Sequence, residues 1–93
     1  MKAKEIYTFK RIETLMLHFA VNNNIPTYLA RSSGQEWEFG PGYKPKDGAP
    51  KWIIVLDDQF SIFLESDEFP DHLVGELLDL ADGVRNSLYA MGK

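Results

Sequence analysis

The chain has 93 residues with 44% hydrophobic and 26% charged side chains, enough apolar material for one core and too little for two. It contains no cysteine, which excludes disulfides, thiolate zinc sites, iron-sulfur clusters and cysteine nucleophiles together. The formal charge of −4 is uneven: residues 1–51 carry a net +3, whereas residues 52–93 set nine acids against Arg85 and Lys93.

From Thr8 to Ala20 the apolar residues Phe9, Ile12, Met16, Phe19 and Ala20 recur at helical spacing, with Lys10, Arg11, Thr14 and His18 opposite. This predicts a first helix. The run Asn22-Asn23-Asn24 before Ile25-Pro26 predicts its stop, because Asn tolerates left-handed backbone and Pro disfavours helix before it.

Thr27 to Arg31 and Glu36 to Phe39 flank Ser32-Ser33-Gly34-Gln35 and read as a hairpin with Gly34 at positive φ. Trp37 and Phe39 alternate with Glu36 and Glu38, so the tryptophan side is expected to face inward. Gly40 to Lys51 holds three of the five prolines and reads as a long exposed loop.

Trp52 to Leu56 and Phe60 to Glu65 are the strongest strand signals and are expected to pair across Asp57-Asp58-Gln59. A turn centred on Asp57-Asp58 would place Ile53, Val55, Phe60 and Ile62 on one face and Trp52, Ile54, Leu56 and Phe63 on the other. Both faces would be apolar and both would need cover. After the acids and Pro70 around Ser66, the stripe Leu73, Leu77, Leu80, Ala81, Val84, Leu88 and Met91 predicts a final helix that runs through Gly75 and Gly83.

The order helix, strand, strand, strand, strand, helix gives an α+β class, a single domain over 1–93 built on an antiparallel sheet. Two arrangements stay open: a helix on each face of the sheet, or an uncovered face that takes a partner chain, including a homodimer through that face.

No motif for chemistry survives inspection. His18 and His72 lie on different helices without ligands at metal spacing, so no metal and no cofactor are expected. Ser32-Ser33-Gly34 lacks the setting of a nucleophile, Gly40-Pro41-Gly42 that of a phosphate cradle, and the acids that of a calcium loop. The expectation is a non-catalytic, acidic, cytoplasmic protein-interaction domain. Asp71, Leu78, Asp79, Asp82 and Tyr89 would dock on a partner with a basic surface, in the sharper form as an inhibitor occupying a nucleic-acid-binding surface. The competing reading is a nucleic-acid contact through the basic-aromatic loop with Tyr43, Lys44, Lys46, Lys51 and Trp52, against which the acidic balance argues. A small enzyme without a recognisable motif is the third reading, and no membrane contact is expected.

Overall fold

A computed structural model describes residues 3–34, 36–43, 48 and 51–90, without the side chains of residues 3–9, 33 and 41. The order is α1 (Ala3–Asn23), β1 (Thr27–Ser33), β2 (Glu36–Gly42), β3 (Lys51–Val55), β4 (Phe60–Glu65), a 3-10 turn (Asp71–Leu73) and α2 (Val74–Tyr89). The strands form one antiparallel sheet in the order β2-β1-β4-β3, which is the α+β architecture expected from the sequence. No described helix is long and apolar enough to cross a membrane.

The helix α1 starts earlier than predicted, since nothing in Ala3-Lys4-Glu5 breaks a helix. Ile12, Met16, Phe19 and Ala20 are its buried stripe; the side chain of Phe9 lies outside the described residues. Asn24, at φ 55°, ends the helix, and the Ile25 amide donates back to the Ala20 carbonyl at 3.1 Å. The helix α2 runs unbroken through Gly75 and Gly83 and buries Leu77, Leu80, Ala81, Val84 and Leu88 behind Leu73 of the 3-10 turn; Met91 lies outside the described residues.

Both helices pack on the same side of the sheet. Their stripes meet Leu29 of β1 and Ile62 and Leu64 of β4 in one core, with Ile54 and Phe60 packed against it. Each such side chain contributes about 1.5–3 kcal/mol when fully buried. An arrangement with one helix per face is thereby ruled out.

Three expectations change. Trp37 and Phe39 do not face inward: they stand on the side away from the helices, 39% and 48% exposed. Alternation shows which residues share a face but not which face the helices take, and the helix side of these strands carries Arg31 and Glu38 in a 2.9 Å exposed ion pair.

The β3–β4 pairing is one residue away from the turn-centred register. Ile53 faces Phe63 and Ile54 faces Ile62, so Phe60 and Ile62 lie with Trp52 and Ile54 on the helix side, and Phe63 lies with Ile53 and Val55 on the other. The cause is the Asp57 side chain, whose Oδ1 accepts from the Gln59 and Phe60 amides at 2.8 Å each and fixes a three-residue loop closed by the Leu56 amide on the Phe60 carbonyl.

The Gly40-Pro41-Gly42 stretch, expected as loop, completes β2. A bulge between Tyr28 and Ala30 shifts the ladder, and Gly42 pairs with Tyr28. Proline is tolerated because β2 is an edge strand. Gly42 sits at φ 114°, and a Cβ there would come 2.4 Å from the Thr27 carbonyl oxygen.

Candidate functional site

With both helices on one side, no helix among the described residues covers the other face of the sheet. From edge to edge it presents Trp37 and Phe39 on β2, Tyr28 and Ala30 on β1, Phe63 on β4, and Ile53 and Val55 on β3. Tyr28, Ala30 and Phe63 are buried and form a small second core on this face. The Phe63 ring is the hub: Trp37, Tyr28 and Phe39 approach it with centroids at 5.0, 5.5 and 6.0 Å, and Tyr28 meets Phe39 edge-on at 5.5 Å.

Above this floor Trp37 and Phe39 are exposed as stated, and Ile53 and Val55 are 50% and 67% exposed. Together they leave on the order of 400 Å² of apolar surface, the size at which a monomer's largest patch is commonly a contact site. Lys51 and Glu65, opposite one another in register, mark one end of the face, and the Asp57-Asp58 hairpin tip follows β3 at the other.

The Tyr28 hydroxyl is buried and has no hydrogen-bond partner among the described residues. Burial, with the Glu65 carboxylate adding to it, pushes its pKa from 10.0 up to about 12. The folded state therefore holds this proton more tightly than the unfolded chain. The associated stability is intact below pH 10 and lost as the pH rises through about 12. Tyr28→Phe is expected to raise stability by about 1 kcal/mol at neutral pH, since it removes a buried hydroxyl without a partner among the described residues, and to flatten this alkaline loss. Urea midpoints between pH 8 and 12 check both, and a clear loss of stability at neutral pH in the variant would contradict the assignment.

The residues expected to dock through the last helix lie on the far side of the molecule. Asp71 is exposed on the 3-10 turn. Leu78, Asp82 and Tyr89 share one exposed strip of α2, with Leu78 62% and Tyr89 54% exposed. Between the two apolar residues Arg85 Nη1 donates to Asp82 Oδ1 at 3.2 Å and Arg85 Nε to the Leu56 carbonyl at 3.3 Å, so the strip is interrupted by charge.

Asp79 lies further round, in an open groove of about 410 Å³ between the helices that is also lined by Leu15, His18, Asn22 and Glu76. This groove brings His18 and the carboxylates Glu76 and Asp79 to one lining. Asn22 Nδ2 lies 2.9 Å from His18 Nε2, and Asn23 Nδ2 donates to Glu76 Oε2 at 3.0 Å, so amides occupy the polar contacts. Among the described residues no trio of histidine or carboxylate side chains converges to hold a metal ion.

Two members of the basic-aromatic set, Lys51 and Trp52, stand on opposite faces of the sheet. Neighbouring strand residues point to opposite faces, so Lys51 stands on the open face and Trp52 on the helix side, where its ring packs edge-on against Phe69 at 5.4 Å. Tyr43 is exposed, and Lys44 and Lys46 lie outside the described residues.

Sequence reasoning did not select Trp37, Phe39, Ile53 and Val55 as a surface. The signal was present in a β3–β4 hairpin apolar on both faces, which only one layer of helices could not cover. No family model, no curated protein and no solved structure matches this chain.

Proposed function

We propose that this domain is a non-catalytic protein-binding module that docks through the open face of its sheet. The observation that carries the reading is the exposure of Trp37 and Phe39 on β2 and of Ile53 and Val55 on β3, on the face whose centre is the buried Tyr28–Phe63 pair. Two properties fit it for recognition. Aromatic side chains held by packing lose little entropy on binding, and the ring contacts to Phe63 hold Trp37 and Phe39 in place before a partner arrives.

Charge selects the partner. The net charge of −4, Glu65 on the face and the Asp57-Asp58 tip favour a surface with an apolar centre and a basic rim, and would speed encounter at low salt. Nucleic acid is the weaker candidate, because Lys51 is the single basic residue of the described face and it sits opposite Glu65.

Phe39→Glu combined with Val55→Glu tests the proposal, since both side chains are about half or more exposed and the fold should survive. Protein captured from native lysate should be released by this variant, with affinity down by about tenfold or more, and retained by Leu78→Ser/Tyr89→Ser. Retention by the sheet variant with loss by the α2 variant would overturn it in favour of the acidic helix. Tight, salt-sensitive binding to an oligo(dT) probe that is insensitive to both would overturn it in favour of nucleic acid.

A further inference from the structure

The two helices run in opposite directions and meet at Leu15 and Gly83, where a Cβ on the glycine would lie 3.3 Å from Leu15 Cδ1. Further along α1 and back along α2, Asn23 Nδ2 reaches Glu76 Oε2 at 3.0 Å. On the outer side of this helix pair the charges separate to either side of Leu15. Towards the end of α1 lies the groove of about 410 Å³, with Leu15, Phe19 and Leu80 as its apolar lining, the carboxylates of Glu76 and Asp79, and neither lysine nor arginine. Towards the start of α1, Arg11 lines a smaller hollow of about 310 Å³ with Lys10, Thr14 and the same Leu15, and no carboxylate lines it. Both Arg11 and Asp79 are exposed, and neither makes an ion pair with a described residue.

The spacing of the two charges matches. Arg11 stands four residues before Leu15 and Asp79 four before Gly83, about 6 Å along each helix axis at about 1.5 Å per residue. Because the helices are antiparallel, the two steps lead in opposite directions from the Leu15–Gly83 level. The resulting offset of about 12 Å keeps Arg11 and Asp79 from pairing within one chain. A two-fold rotation about an axis across both helices at that level reverses the direction, and so brings Arg11 of one copy level with Asp79 of another.

We infer that the groove between α1 and α2 receives Arg11 of a second copy of this chain, about a two-fold axis crossing the helices at Leu15 and Gly83. A guanidinium suits such a site, since its planar faces accept apolar contact while its N–H groups pair with carboxylate oxygens. Each copy gives one arginine and takes one, which is the self-complementarity a two-fold interface requires. The two Leu15 side chains meet at the axis, and Gly83, without a side chain, keeps that centre low. With two ion pairs around a small apolar centre, association belongs to the weak class, with a Kd on the order of 100 μM at low salt. The open face of the sheet lies on the other side of the molecule, so the dimer forms independently of what that face binds.

Sedimentation and light scattering from about 10 μM to about 1 mM test the inference, on the wild type, on Arg11→Glu, on Asp79→Arg and on an equimolar mixture of the two variants. The wild type should approach twice the 10.6 kDa chain mass at low salt and return towards the chain mass in about 0.5 M salt. Each variant alone sets like charges against each other at both ends of the seam and should associate about tenfold or more weakly, with an unchanged circular dichroism spectrum. In the mixture, the substituted position 11 of one copy meets the substituted position 79 of the other while the remaining Arg11 meets the remaining Asp79, so association should return. A wild type that stays monomeric throughout would overturn the inference, as would a dimer that neither variant weakens, or a mixture that associates no better than its components.

Discussion

Gly42→Ala is expected to lower stability by about 4 kcal/mol, more than an added methyl at any other described glycine. The glycine holds φ 114°, where a side chain is strained at a cost of about 1–3 kcal/mol. Its added Cβ would also fall 2.4 Å from the Thr27 oxygen and 2.7 Å from the Tyr28 Cα, backbone atoms that cannot swing aside. The consequence reaches the open face, because Gly42 is paired with Tyr28 and ends the strand that carries Trp37 and Phe39. A thermal midpoint lowered by roughly 15–30 °C would agree with this account, and a shift of only a few degrees would show that the close approach is relieved cheaply.

Phe63→Ala is expected to cost about 3–4 kcal/mol, against about 1 kcal/mol or less for Phe39→Ala, although both rings stand on the same face. The difference is burial. Phe63 is 4% exposed and is touched by Trp37, Tyr28 and Phe39, whereas Phe39 has half its surface in water. Phe63→Ala should also abolish partner capture, because Trp37 and Phe39 lose the ring that holds them. Urea denaturation of the two variants checks the ordering. Equal costs would mean that the face has no packed floor and that its aromatics are independent surface residues.

Much of this architecture was legible in the sequence, because helical stripes and strand runs report local burial directly. The stripe from Ile12 to Ala20, the stripe from Leu73 to Leu88 and the stop at Asn24 follow from spacing and backbone preference alone. What was not legible depends on non-local choices. The β3–β4 register turned on whether the Asp57 carboxylate caps the loop, and a single residue there exchanges Phe63 for Ile62 between faces. The direction in which Trp37 and Phe39 face turned on the side taken by two helices far away in sequence. The candidate site followed the same division: the charged residues of the last helix could be named in advance, but a surface assembled from four strands exists only once the sheet order β2-β1-β4-β3 is known.

Placement of the helices divides the molecule into two sides with different physical character. The outward side of α2 is charged, with Asp79 and Asp82 exposed and Leu78 and Tyr89 set apart by an ion pair, as a solvated helix surface ordinarily is. The open side of the sheet exposes Trp37 and Phe39 on one edge strand and Ile53 and Val55 on the other. Scattered exposed hydrophobics need no explanation, whereas four on one face of a sheet do.

Photo-crosslinking compares these two sides directly, with a photoreactive side chain placed at position 39 in one protein and at position 78 in another. Conjugates to a partner protein from position 39, and none from position 78, are the predicted result. Conjugates from position 78 alone would contradict the account and assign recognition to the acidic helix.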